Sequence, residues 1–309
     1  MKEYVLSYYP KFKCIADKCK HTCCAGWDMI IDNCTLNQYK KDASNFSNTL
    51  KSGIDFKRSK FKSDKNRRCA FLNDNNLCDI ILNLGENSLC QICKDHPRFR
   101  SRYGNVLETG IGFCCEQGAK LILSTEDKIE LTLINDDDSD LSFIEDCILK
   151  FRDKAVNIIQ DRNIDINDRI LSLLDLCSVK GDVDFSKILK TFNSLEKLNK
   201  SWSIRLKKLK GKDVSTKTGD NLALYCEQFL VNSLYRHIIT AEDVIDARAK
   251  AIFCVISWWI INAVYQCERE KEVDFELICD IVREFSCEVE YSQKNLIKAF
   301  AFANKFIKD

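Results

Sequence analysis

Cys14, Cys19, Cys23 and Cys24 fall within eleven positions in the pattern C-x4-C-x3-C-C, which is closed by Ala25-Gly26-Trp27. Thiols at this density are too close to act as independent core residues, and adjacent cysteines do not readily bond each other. Crowded thiolates call for a common partner, and a metal ion or metal cluster suits them. A second block, from Arg68 to Arg100, brings Cys69, Cys78, Cys90 and Cys93, and a third brings Cys114 and Cys115. Together they read C-x8-C-x11-C-x2-C-x20-C-C, which predicts metal chemistry rather than a set of small buried hydrophobes. Ligand chemistry leaves two choices open. Zinc takes four ligands, typically as two close pairs, and an iron–sulfur cluster takes four, usually cysteine. His21 and His96 lie inside the blocks, but without an H-x3-H pair each is read as a surface or hydrogen-bonded histidine.

The distribution of the eighteen cysteines supports that division. Eleven lie between Cys14 and Cys115, whereas Cys147, Cys177, Cys226, Cys254, Cys267, Cys279 and Cys287 are scattered singly and read as core filling. The first 120 residues also hold Pro10, Pro97 and seven of the ten glycines, which predicts a loop-rich region whose fold depends on its metal. Asn73-Asp74-Asn75-Asn76 is a turn signal that makes Cys69 and Cys78 the flanks of a hairpin. Asp79 to Leu84 reads as a short helix ending near Gly85. Between the blocks, Leu36 to Lys65 is polar and partly helical, with no chemistry in view.

Beyond Leu121 the texture changes. Asn135-Asp136-Asp137-Asp138-Ser139-Asp140 lacks the spaced ligands of a calcium loop and reads as a solvated linker that caps the next helix. It divides the chain into a cysteine-rich metal domain, 1–135, and an α-helical domain, 141–309. Apolar spacings of three and four predict helices over Phe143–Ile159, from Asp168, and over Phe185–Leu198, Asn221–Ile239, Ala241–Cys267, Phe275–Phe285 and Ser292–Ile307. The expected fold class is mainly α: a loop-rich N-terminal cysteine-cluster domain followed by an α-helical bundle.

Composition narrows the partners. A net charge of +1 argues against general nucleic-acid binding. The most apolar run, Ala251 to Tyr265, is shorter than the roughly 20 residues needed to cross a bilayer and contains Asn262, so a buried helix is expected and no membrane. The N-terminus lacks the apolar stretch of a secretory signal. Eighteen cysteines without one imply a reducing compartment, the cytoplasm. Nucleotide-binding glycine loops, a zinc-protease helix and a nucleophile elbow are all absent. So is C-x3-C-x2-C: after Cys19-x3-Cys23 the third position is Gly26, with the extra cysteine at 24.

The order of the blocks resembles one family. Cys19-x3-Cys23-Cys24-Ala25-Gly26-Trp27 with Ile31-Asp32, then Cys69-Ala70-Phe71-Leu72, Leu77-Cys78-Asp79-Ile80, Leu84-Gly85-Glu86, Leu89-Cys90 and Cys93-x3-Pro97-Arg98, resemble the flagellin lysine-N-methylases. The similarity covers roughly the first 120 residues. It extends more loosely through Glu227-x2-Leu230-Val231 and the apolar helix near Trp258. The resemblance implies a protein-lysine N-methyltransferase that acts on flagellin, with S-adenosylmethionine as methyl donor and an iron–sulfur cluster, [4Fe–4S] being expected. It carries Cys14, Cys19, Cys23, Cys24, Cys69, Cys78, Cys90, Cys93 and Cys114 over as metal ligands. Cys115 stands where a proline is expected.

A lysine amine, with a pKa of about 10.4, must lose its proton before it can accept a methyl group. Asp28 and Asp32 are the candidates to contact it or the methyl donor, with a turn or capping role as the other reading of each. Trp27 and Arg98 are the candidates for the methyl donor, by stacking and by pairing with its carboxylate; the other readings are a core tryptophan under the metal site and an arginine that holds Asp95 or a helix end. Two other readings stand beside this one: a zinc-stabilised protein-binding module, and an iron–sulfur redox protein without methyl transfer.

Overall fold

The computed structural model describes residues 1–136, 141–179, 181, 183–212, 214–270 and 273–307. Asp137, Asp138, Ser139 and Asp140, the centre of the expected linker, lie outside the described residues. The chain forms two compact units, Lys13–Arg98 and Met1–Phe12 with Phe99–Asp309. The stretch expected to divide the chain, 135–141, falls within the second unit, whose N-terminal strand pairs with Val106–Ile111 and Leu131–Asn135, both before that stretch.

In Met1–Phe12 with Phe99–Asp309, β1 (Lys2–Leu6) begins a four-stranded sheet. The unit of Lys13–Arg98 follows with α1 (Asn33–Lys41), α2 (Ser47–Ser52), β2 (Ile54–Asp55), β3 (Lys60–Phe61), α3 (Asp79–Leu84) and α4 (Gln91–Asp95). Its own core gathers Met29, Ile31, Leu36, Leu50, Phe61, Phe71 and Ile80 with Cys69 and Cys90. Short elements dominate because turn-formers interrupt every apolar run. The Asn73–Asn76 turn forms as expected: Asn73 Oδ1 accepts the N–H groups of Asn75 and Leu77. Leu72 and Cys78 pair across it, and α3 ends at Gly85, whose φ of 81° suits glycine.

After that unit come β4 (Arg98–Tyr103), β5 (Val106–Ile111), α5 (Glu116–Leu123) and β6 (Leu131–Asn135). The sheet order is β4-β5-β1-β6. β1 runs parallel to β5 with Lys2 opposite Val106, and antiparallel to β6 with Leu6 opposite Leu131. Gly110 permits the close approach of Phe99 and Leu6, since an added Cβ would stand 2.4 Å from the Phe99 ring. This sheet is the main departure from the expected α-helical architecture, although the chain is mostly helical. Helical periodicity does not reveal strands that find their partners a hundred residues away.

Helices then run α6 (Phe143–Ile159), α7 (Ile166–Leu176), α8 (Phe185–Asn193), α9 (Lys200–Lys208), α10 (Ala223–Ile238), α11 (Val244–Glu268), α12 (Phe275–Phe285) and α13 (Gln293–Ala303). Ser142 and Glu145 form a capping box at α6. Asp165 caps α7, so that helix starts before the expected Asp168. The short polar helix α9 was not expected; it is capped by Asn199 and buries Trp202 and Leu206. The π-helical segment Ser286–Glu290 extends α12. α11 is buried from Ala247 to Tyr265 apart from the half-buried Arg248, and packs on α10, α6, α12 and α13. No helix among the described residues is long and apolar enough to cross a membrane. Cys177, Cys226, Cys254 and Cys279 are buried in this core, as expected of filling residues.

Candidate metal centre

Two strips of backbone bring the first cysteines together. Cys69 N–H donates to Cys24 O at 2.8 Å, Gly26 N–H donates to Arg67 O at 3.0 Å, and Ala25 bridges Arg68. Gly26 adopts φ 93°, which lets the chain turn immediately after the cysteine pair. A hydrogen bond with Cys23 lowers the Cys24 thiol to about 7 against the effect of burial, with Thr22 and the Arg68 guanidinium adding to it. Cys24 is therefore substantially a thiolate at neutral pH.

Cys78 sits at the N-cap of α3 and Cys90 at the N-cap of α4. Burial raises the Cys78 thiol, while the Ile81 and Ile80 N–H groups favour its thiolate. Burial pushes Cys69 up to about 12, opposed by the Phe71 N–H. Cys90 and Cys93 stand with sulfurs 3.5 Å apart. Their mutual hydrogen bond lowers Cys90 and raises Cys93. Backbone N–H groups aimed at sulfur are what a buried thiolate requires, and here they arise from a turn and two helix starts.

Five thiols, Cys24, Cys69, Cys78, Cys90 and Cys93, are close enough to act electrostatically on one another. As placed, no group of three or more His, Cys, Asp or Glu among the described residues has metal-holding spacing. The donor set nevertheless fits a thiolate-bound metal: soft ligands, backbone donors on three of them, and one thiol already near neutrality. Cys14, Cys19 and Cys23 belong to the exposed or half-exposed stretch leading to Cys24. Cys14 Sγ accepts the Ala16 N–H at 3.4 Å.

Cys114 belongs to the other unit. It is buried there, and burial raises its thiol strongly, with Cys287, Tyr291 and Arg236 as its neighbours. Cys287 Sγ donates to Cys114 O at 3.6 Å. Cys115 is the N-cap of α5 and makes no side-chain cap there.

The remaining candidates have definite local partners. Asp32 Oδ1 accepts the Thr35 N–H as the cap of α1, and Oδ2 accepts the Gln91 N–H at 2.9 Å, which ties α1 to α4. Asp28 is exposed and bonded to Lys60 at 2.8 Å. Trp27 donates from Nε1 to Cys23 O at 2.8 Å and stacks on His96 with centroids 6.1 Å apart. Burial, with help from Arg98, lowers His96 to about 4, so it is neutral. Arg98 Nη1 donates to Lys94 O, at the end of α4. Tyr39 was not anticipated: its hydroxyl donates to Ser88 O at 2.6 Å, and Cys90, Cys93 and Cys78 all act on it. A buried tyrosine two residues from the end of α1 carries no sequence signal for such a position.

A stretch of 144 residues, 43% of this chain, is 24% identical to the Lysine-N-methylase of Salmonella typhimurium and covers 36% of that protein. The chain is 26% identical over 143 residues to the Flagellar biosynthetic protein FliU of Salmonella muenchen; this stretch is 42% of the chain and 84% of that relative. The Lysine-N-methylase of Salmonella choleraesuis is 24% identical over 144 residues, 43% of the chain and 36% of that protein. The matched stretch thus spans little more than a third of each of these two lysine-N-methylases. No family model matches the chain, and no solved structure matches it.

Proposed function

We propose that this protein is a protein-lysine N-methyltransferase whose acceptor is flagellin, whose methyl donor is S-adenosylmethionine, and which carries an iron–sulfur cluster in the reducing cytoplasm. The observation that carries the reading is the convergence of Cys24, Cys69, Cys78, Cys90 and Cys93 in one unit. The names of its partial relatives, lysine-N-methylase and a flagellar biosynthetic protein, support the reaction and the acceptor. Four of these five thiols would hold the cluster, which when bound supplies iron-centred redox or Lewis-acid chemistry.

The chain's own residues have separable tasks in this reading. Cys24 offers a thiolate at neutral pH. The N–H groups of Phe71, Ile80, Ile81 and Cys93 hold negative charge on sulfur. Trp27, fixed by its bond to Cys23 O, presents a ring to the methyl donor, and Arg98 pairs with the donor's carboxylate. Both oxygens of Asp32 are engaged by backbone N–H groups, so we assign it to holding α1 against α4. Asp28, exposed on Lys60, is the carboxylate left to meet the acceptor amine.

Iron, zinc and acid-labile sulfide content of protein purified without oxygen tests the reading, together with its visible spectrum. About four irons and four sulfides per chain with a broad brown absorption are expected, followed by transfer of labelled methyl groups to flagellin lysines. Zinc alone, without methyl transfer, would establish a scaffold for protein binding instead. Iron with a reversible redox signal but no binding of S-adenosylmethionine would establish a redox protein.

A further inference from the structure

The near-neutral chain hides a charge imbalance. Lys13–Arg98 carries fifteen basic and ten acidic residues, a formal +5, although the whole chain is +1. Seven of the fifteen lie between Lys57 and Arg68, with Asp64 the single acidic residue among them. That run forms the β2–β3 turn, β3 and the loop that returns to Cys69.

Its carboxylates are mostly turned toward their own backbone. Asp64 Oδ1 accepts the N–H groups of Asn66 and Arg68 at 2.8 and 2.9 Å. Asp55 Oδ1 accepts those of Lys57 and Arg58, both at 3.1 Å. Lys60 is matched by Asp28, and Arg58 by Asp55 at 3.9 Å. Arg68 is half buried and donates to Asn76 Oδ1 at 3.2 Å; Lys57, Lys62, Lys65 and Arg67 remain, exposed and without an ion pair among the described residues. Beside them Ile30, half exposed, bridges Lys60 from the neighbouring strip. Uncompensated cations repel one another, and a surface that keeps them gains most when an anionic partner covers it. An apolar side chain within the same patch favours a polypeptide over a polyphosphate backbone.

We propose that the β2–β3 ribbon, through Lys57, Lys62, Lys65 and Arg67 around Ile30, is a docking surface for an acidic segment of a protein partner. The identification of that partner as the methyl acceptor rests on the function proposed above; the docking itself does not. The ribbon leads into Cys69 and lies beside the strip that carries Cys24, so a chain held on it is delivered to the cysteine face of this unit.

Fluorescence anisotropy of the full chain with a labelled twelve-residue glutamate-rich peptide tests this without requiring methyl transfer. Two charge-matched variants are compared: Lys57→Glu/Lys62→Glu/Lys65→Glu on the ribbon, and Lys13→Glu/Lys18→Glu/Lys41→Glu elsewhere in the same unit. The expected result is saturable binding that weakens about tenfold between 50 and 300 mM salt. The ribbon variant should lose at least tenfold in affinity, while the other loses less than threefold. Ile30→Ser should weaken binding severalfold with the charge intact. Equal loss in both triple variants would reduce the effect to bulk charge and overturn the proposal. So would tighter binding of a twelve-nucleotide single strand than of the peptide. A ribbon variant that binds normally yet fails to methylate flagellin would overturn the docking site while leaving the enzyme reading in place.

Discussion

Cys24 owes its low pKa chiefly to its immediate neighbour, since the hydrogen bond with Cys23 is the leading cause and the Arg68 charge a lesser one. In apo protein, alkylation of Cys24 followed against pH should show a midpoint near 7, and Cys23→Ala should move it upward. In holoprotein, Cys24→Ala, and Cys23→Ala through the lost hydrogen bond to Cys24, are both expected to lose bound iron and methyl transfer together; a variant that keeps full activity would defeat the assignment. Asp32 makes a different prediction. As a cap with both oxygens occupied, its replacement by alanine should destabilise the cysteine unit by about 1 kcal/mol, read as a lowered melting temperature. Because its backbone bonds outweigh burial and depress its pKa, that contribution is present above about 3.8 and is lost as pH falls through the folded value. The cysteines themselves were readable from spacing. Tyr39 and the second oxygen of Asp32 were not, because they depend on a helix meeting segments 49 and 59 residues away.

At the scale of elements, α10 and the π-helical turn are joined by a buried ionic group. Glu290 accepts from Ser286, Arg236 and His237, and Arg236 lies between the rings of Phe99 and Tyr291. Burial opposes the Glu290 carboxylate, but Arg236, His237 and Ser286 outweigh it and hold the group at about 2. His237, lowered by burial, is neutral. Both groups bind fewer protons folded than unfolded. Stability is therefore full above about 6.5 and falls progressively as pH drops toward 2, which a series of melting temperatures would record. Glu290→Gln strands a buried guanidinium and should cost about 3–5 kcal/mol at neutral pH while flattening the acid limb. Phe229, which stacks on Phe113 at 5.1 Å and meets Trp258 at 5.7 Å, is the aromatic hub of α10. Phe229→Ala should cost about 3–5 kcal/mol by the same measurement.

The described residues form two hydrophobic cores, one in each unit. Calorimetry of metal-loaded protein should show two transitions, and chelation under anaerobic conditions should lower only that of Lys13–Arg98. The physical reason is size: a small core interrupted by exposed loops leans on its ligand, whereas α10 and α11 bury enough apolar surface to stand without one. The charge difference between the units was invisible in the net charge of +1, which averages a basic cysteine unit against an acidic remainder. The stretch read as chemically empty, Leu36 to Lys65, contributes three of the four uncompensated cations of the ribbon.

What the sequence by itself determined is local. Cysteine spacing, the Asn73–Asn76 turn, the bounds of α6 and α12 and the burial of α11 all follow from neighbours within a few turns. Short-range sterics and periodicity carry that information. Tertiary structure alone decided which thiols lie near one another and where Cys114 lies. It also decided that β1 pairs with β5 and β6, and that Asp64 and Asp55 spend their charge on backbone N–H groups. Those outcomes depend on contacts between residues far apart in the chain, and no one-dimensional pattern encodes which distant partner a buried polar group finds.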